Sequence, residues 1–356
     1  MDAGAPSSAA GAAKFSGSNS RKFSTFQPKG RRATVYEDVL MDVQYDPKRY
    51  LLQGWFLEFP NGKGVYSEES SRMRSSDWHM FRDPNEEWQR TSYIRQSSIE
   101  KQIALTVATA KAKSSFHSLE SDWLHVLQNH LGAWKHPEYG ISMNILLPAQ
   151  RDAMTNTVNT AIAMNCSDKL RFAQDVAIYM MDIAEQVPEF SEAAGKDAWL
   201  HAPVWQGVRR NIEKAASRPD WAEQVLAINL VYEPLCGELF RSHFLMQFAA
   251  HHGDYVTPTL VSTAEADYEK NLRWTLELFK MLLEDTKYAH TNRELVQEWL
   301  ETYVPLSVSG AQCLEPIWSE PRIKVSSFES CFEKAMDKFE YVLQQLNLQL
   351  PKGVTV

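Results

Sequence analysis

The stretch Gly253–Asn271, GDYVTPTLVSTAEADYEKN, joins the end of one long helical pattern to the start of another. Gly253 is expected to close the first helix, because a left-handed residue ends helices and glycine adopts that conformation without a Cβ clash. Thr257-Pro258 is expected to open the second, with a hydroxyl cap and a proline at the first helical position. The acidic residues Glu265, Asp267 and Glu269 then fall mid-helix beside Tyr268 and Asn271. Carboxylates there are either a solvated face or the remains of a metal site.

Upstream and downstream of this stretch, apolar residues recur at helical spacing and strand-like alternation is nearly absent. Ile99, Ile103, Val107 and Ala110 share one face, as do Leu119, Trp123, Val126, Leu127 and Leu131. Further helices are expected at roughly 156–186, 196–216, 220–252, 258–285, 291–304 and 326–348. Pro148 is expected to interrupt a pattern, and Pro234 to kink or loosen the 220–252 helix. The fold expected is all-α, a bundle of long helices.

The chain of 356 residues divides into three expected parts. Residues 1–33 form a flexible basic N-terminal arm, Ala/Gly/Ser-rich at first, then with six basic residues and no acidic one between Lys14 and Arg32. Residues 34–95 hold turn signals and Trp55, Trp78 and Trp88, and are expected to lie across another subunit. Residues 96–350 make up the helical domain.

Net charge of −8 argues against a nucleic-acid binder. No apolar run approaches 18 residues and no apolar signal core precedes residue 33, so neither a membrane span nor a secretory signal is expected, and the expected location is the cytoplasm. Cys166, Cys236, Cys313 and Cys331 show no regular spacing and read as buried, reduced thiols.

Phosphate-binding glycine motifs and the G-x-S-x-G elbow are missing. His251-His252 ends a helix, where capping is the expected role. Asp122-x-x-His125 is expected on a partly exposed face. A long-helix bundle suits a carboxylate-bridged di-iron centre, which takes one Glu from each of two helices and a Glu-x-x-His pair from each of two others. None of the ten histidines has a Glu three residues before it.

Two stretches nevertheless keep the frame of that motif. GDYVTPT (253–259) followed by E-x-D resembles the second iron-binding helix of the large subunit of bacterial multicomponent monooxygenase hydroxylases, with Tyr268 at the Glu position and Asn271 at the His position. Asp168–Gln174, DKLRFAQ, resembles the first, with Lys169 at the Glu position and Phe172 at the His position. These substitutions make the chain similar to the small (beta) hydroxylase subunit of that family. YEDV (36–39), LGAW (131–134), RFAQD (171–175) and LEPIWS (314–319) look most like its propane monooxygenase branch.

The resemblance implies a ferritin-like bundle with no catalytic, cofactor-binding or metal-ligating residue of its own. It implies a large (alpha) subunit carrying the di-iron centre in an α2β2-type assembly, with a coupling protein and an NADH reductase as further components. Two rival readings are an autonomous ferritin-like metal oxidase and a helical scaffold unrelated to oxygenation. Glu138 and Glu233 fall near the two single-Glu ligand positions, the latter offset by about one residue beside Pro234. Lys169 then either pairs with one or both carboxylates inside the bundle or runs its ammonium out to the surface.

Overall fold

In the computed structural model, residues 23, 27–28, 32–43 and 67–352 are described. Trp55, most of the N-terminal arm and residues 44–66 of the expected subunit-contact segment lie outside them. The described residues contain helices and connecting turns and no strand. The principal elements are α1 (Val35–Leu40), α2 (Gln89–Ala112), α3 (residues 121–152), α4 (Asn156–Gln186), α5 (Ala194–His201), α6 (Pro203–Ala216), α7 (residues 221–249), α8 (Val256–Leu283), α9 (Ala289–Gln312) and α10 (Phe328–Gln345).

α3, α4, α7 and α8 pack together as the central bundle. α2 lies against α4 and α8, α9 and α10 lie against α7, and α5 and α6 cover the flank of α3. The apolar faces expected from the sequence are buried: Trp123, Val126, Leu127 and Leu131 of α3 are fully covered, as are Trp205 of α6 and Trp221 of α7. One continuous apolar core results, built on aromatic contacts such as Trp134–Phe240 at 4.8 Å between ring centroids.

Two of the central rods, α3 and α7, are irregular, in part beside prolines. α3 contains π-helical turns at Leu127–Leu131 and Ile141–Leu146, and it runs on through Pro148 instead of breaking there. α7 is π-helical over Leu226–Gly237, around Pro234, and again over Leu239–Met246. Proline lacks the N–H donor and crowds the carbonyl one turn back, and a widened turn relieves both problems.

Several expectations need correcting. α2 starts at Gln89, not near Ser98, so the boundary drawn at residue 96 cuts a helix. Trp78 is buried in its own chain, 5.8 Å from Trp221 between ring centroids, and Met73 and Phe81 are buried beside it. That part of the segment expected to cover another subunit is therefore committed to the chain's own core; Trp88 is half-buried. The expected 196–216 helix is two, because Pro203 starts α6. Cys166, Cys236 and Cys331 are buried free thiols as expected, with Cys313 partly exposed.

Candidate functional site

The turn at the end of α7 is built as expected at Gly253, which takes φ +77°. The helix start that follows is not. α8 begins at Val256, and Asp254, not Thr257, caps it: its carboxylate accepts from the Val256 and Thr257 amides at 3.0 and 2.9 Å. The same carboxylate accepts from Trp123 Nε1 (2.9 Å), Thr257 Oγ1 (2.5 Å) and the Tyr179 hydroxyl (3.3 Å). One buried Asp thus ties α3, α4 and α8 together. Pro258 is the third helical residue, still within the turn whose N–H groups lack helical partners.

Helical spacing then brings one residue from each of three rods together: α3 supplies Glu138, α4 Lys169 and α7 Glu233. All three are buried, as is Tyr268 of α8. Lys169 does not reach the surface. Its Nζ lies 2.6 Å from Glu233 Oε1 and 2.9 Å from Glu138 Oε2. A second cation, unforeseen from the sequence, completes the group. Arg241, fully buried, lies 2.7 Å from Glu233 Oε2 and 3.1 Å from Glu138 Oε1, and donates through Nε to Glu265 at 2.5 Å. Trp134 Nε1 also donates to Glu138, at 2.8 Å.

Gly237 leaves the space this needs, since a Cβ there would stand 2.7 Å from Glu233 Oε2 and 2.9 Å from Arg241 Nη1. The π turn holding Glu233 contains one more residue than an α turn, which accommodates the one-residue offset beside Pro234. The only sequence signal for Arg241 is that it and Glu233 are charged residues within a mostly apolar run, and buried charges need partners.

The electrostatics are those of a closed set. Burial pulls Lys169 down, but Glu138 and Glu233 outweigh it and hold the ammonium above its ordinary value. Burial would raise Glu233, and Arg241 and Lys169 reverse this, keeping it ionised. Arg241 is driven well upward, burial being overcome by Glu233, Glu265 and Glu138.

Beside this group lies a second one. Asp168, adjacent to Lys169 in sequence, accepts from Arg95 (2.8 Å), Gln96 (2.6 Å), Lys270 (2.6 Å) and Asn271 (3.1 Å). Asp267 is bonded by Arg95 and by Arg171, the latter at 2.7 Å, and Glu87 is bonded by Arg95 and Lys270. The acidic cluster of 265–269 is therefore neither a solvated face nor a ligand set. Asp267 and Glu265 belong to internal ion pairs, while Glu269 pairs outside with Lys338 at 2.5 Å.

Of the four positions singled out from sequence, Lys169 meets both single carboxylates and Asn271 bonds Asp168 while accepting from Trp274 Nε1 at 3.1 Å. Phe172 is buried in the apolar core. The Tyr268 hydroxyl is buried without a hydrogen-bond partner among the described residues, and burial, then nearby Glu238, raises it well above its usual range. This donor set does not fit a dinuclear iron centre. Its two central carboxylates, Glu138 and Glu233, are both already paired with cations, and no imidazole among the described residues is bonded to either.

Away from the bundle centre, Glu120, Asp122 and His252 approach one another at the surface end of α3, where Arg322 already bonds both Glu120 and Asp122. His252 stacks on Trp123 and bonds Glu120 at 3.1 Å, in place of the helix-capping role expected of it. His125 is exposed, as anticipated. A groove of about 750 Å³ between α2 and α4, lined by Ile103, Val107, Ile178, Arg171 and Asp175, does not reach Glu138, Lys169 or Glu233.

Comparison with known proteins shows the family of the chain. A sequence profile described as methane/phenol/alkene hydroxylase matches residues 55–286. The propane 2-monooxygenase hydroxylase small subunit of Rhodococcus jostii (strain RHA1) is 42% identical over 345 residues, covering 97% of this chain and 94% of that protein. The methane monooxygenase component A beta chain of Methylosinus trichosporium is 25% identical over 302 residues, 82% of this chain and 76% of that one. Among solved structures, a chain of xenon-pressurised phenol hydroxylase from Pseudomonas sp. OX1 superimposes with a TM-score of 0.76 at 20% identity, covering 91% of this chain and 93% of that chain. The chain belongs to the methane/phenol/alkene hydroxylase family.

Proposed function

We propose that this chain is the small subunit of the hydroxylase component of a soluble monooxygenase that oxidises propane or a similar short-chain hydrocarbon. The observation that carries this reading is the 42% identity, across nearly the whole of both chains, to a propane 2-monooxygenase small subunit. In this reading the large subunit holds the di-iron centre, which supplies the activation of O2 for insertion into a C–H bond. NADH-derived electrons reach it through a separate reductase, and a coupling protein regulates it. The hydroxylase is an α2β2-type assembly in the cytoplasm. No helix among the described residues is long and apolar enough to cross a membrane, which is consistent with that location.

The role of this chain is architectural, and it binds no iron of its own. Its bundle centre offers cations where a metal would need empty coordination, so its contribution to the reaction is to hold the large subunit's helices in place. An obligate interface of that kind buries on the order of 2,000–5,000 Å². Co-expression with a large hydroxylase subunit tests the proposal. The two chains are expected to co-purify, with iron and NADH-dependent propane hydroxylation found only when the large subunit, reductase and coupling protein are present. Stoichiometric iron in the small subunit alone, or hydroxylation unaffected by omitting it, would overturn it.

A further inference from the structure

The bundle centre has a pattern that an ordinary buried salt bridge does not require. Glu233 gives Oε1 to Lys169 and Oε2 to Arg241, and Glu138 gives Oε2 to Lys169 and Oε1 to Arg241. Each carboxylate bridges two cations with one oxygen apiece. Each cation is in turn gripped by both carboxylates, which come from the two rods that carry single-Glu ligands in a di-iron bundle.

The substitutions fit the same scheme. In the metal-holding version, two dications are balanced by four carboxylates, two single and two from the Glu-x-x-His pairs. Here the two paired positions are Lys169 and Tyr268, leaving two carboxylates, and these face two monocations. Counting the two bridging carboxylates and the two cations, the inner group is neutral in both cases; Glu265, also bonded to Arg241, stands at its partly exposed edge. Losing the metals without gaining cations would have left two like charges facing each other in a dry core, a state that costs several kcal/mol or forces protonation.

We infer that Lys169 and Arg241 are the covalent replacement of a metal pair: their two charged heads stand in for two metal ions and are held by the same bridging carboxylates, Glu138 and Glu233. The inference rests on the small-subunit reading above and deepens it. Gly237 and Trp134 belong to the same construction. Gly237 makes room for the guanidinium, and Trp134 both donates to Glu138 and lies under Arg241, 5.8 Å from ring centroid to Cζ. The consequence is a subunit whose core charge is balanced as soon as the chain folds, with no loading step and no redox state.

The test is a charge-balance rescue, read as the amount of small subunit recovered in assembled hydroxylase and as the thermal transition of the full chain by circular dichroism. Lys169→Met is expected to lower assembly by about tenfold or more, because it leaves two buried carboxylates sharing Arg241, with one charge uncompensated. Adding Glu138→Gln is expected to bring recovery back to within about threefold of the parent, since the uncompensated charge is then removed and Glu233 keeps Arg241. Adding Glu265→Gln in its place, a residue bonded to Arg241 and not to Lys169, is expected to give no rescue. Parent-like assembly of Lys169→Met, or equal rescue by Glu265→Gln, would overturn the bridging arrangement.

A second arm asks whether the cations occupy metal positions. Lys169→Glu, Phe172→His, Tyr268→Glu and Asn271→His, combined with Arg241→Leu, rebuild the ligand set. The assembled variant, given Co(II), is expected to gain about two metal ions per small subunit, with visible ligand-field absorption. An assembled variant with unchanged metal content would overturn the positional claim. The circular dichroism comparison needs no partner, so its outcome stays separate from whether a large subunit co-purifies.

Discussion

Asp254 offers a direct measure of what the Gly253–Asn271 frame does. Replacing it with Ala removes the acceptor for the first amides of α8, a helix cap typically worth about 1 kcal/mol. It also strands the buried Trp123 Nε1 and leaves the buried Tyr179 hydroxyl only the Thr257 hydroxyl, at 3.4 Å. A buried donor left unpaired costs about 1–3 kcal/mol. The Tyr179 bond is the longer of the two, so its share belongs at the low end. The sum expected for Asp254→Ala is about 3–5 kcal/mol, concentrated where α3, α4 and α8 meet. Asp254→Asn keeps one acceptor oxygen and turns the other into a donor facing donors, so about 1–3 kcal/mol is expected.

Hydrogen exchange followed by mass spectrometry on the assembled hydroxylase separates this local effect from global unfolding. Each tenfold acceleration corresponds to about 1.4 kcal/mol. Peptides spanning residues 250–262 and 120–127 should exchange at least about a hundredfold faster in Asp254→Ala, with peptides from α9 and α10 unchanged. Acceleration of less than about threefold would refute the idea that one carboxylate carries this junction. Equal acceleration everywhere would refute its locality.

Three further outcomes follow from features far from that junction. Burial and the neighbouring Glu265 push Glu238 up to about 7, so its ionisation is costly in the folded state. Its contribution to stability is full below the ordinary carboxylate value and is lost as pH rises through about 7. Glu238→Gln should therefore be neutral near pH 5 and raise the thermal transition at pH 8 by an amount equivalent to at most about 3 kcal/mol; equal shifts at both pH values would contradict it. Arg95 bonds Glu87, Asp168 and Asp267 while remaining partly exposed, so Arg95→Met should cost about 2–3 kcal/mol in chemical denaturation. Arg95→Lys should recover little, because an ammonium cannot reach three carboxylates as a guanidinium fork does. Gly195→Ala would set a Cβ 2.3 Å from the Gly132 carbonyl carbon, backbone against backbone, and should cost about 1–3 kcal/mol or more and weaken packing of α5 on α3; a parent-like melting temperature would count against this close approach.

The all-α architecture was legible because the helices of this chain bury strong apolar stripes, and the family was legible because short stretches such as GDYVTPT (253–259) and RFAQD (171–175) resemble those of its members. The beginning of α2 was not, since Gln89–Ser98 is largely polar and its buried positions, Ser92 and Gln96, are polar too. Thr257 looked like a cap because Thr-Pro is a common helix start. The competing Asp254 shows its role only once Trp123 and Tyr179, 131 and 75 residues away, converge on it. The ion groups were hidden for the same reason. Lys270 and Glu87 are 183 residues apart and Arg241 and Glu138 are 103 apart, and no local pattern joins such partners.

The widened turns of α7 set the phase of everything after them. Glu233 lies inside the first π-helical stretch and Arg241 inside the second, so their mutual facing depends on the residue count between them. Deleting a single residue there while the remaining turns keep their widths would turn its distal half by roughly 100°. Arg241 would swing off the bundle axis, and the uncharged Ser242 would take its place opposite two acids. Substitutions along this rod are graded in their effects, but its length is not adjustable: the chain tolerates a change of residue where it cannot tolerate a change of number.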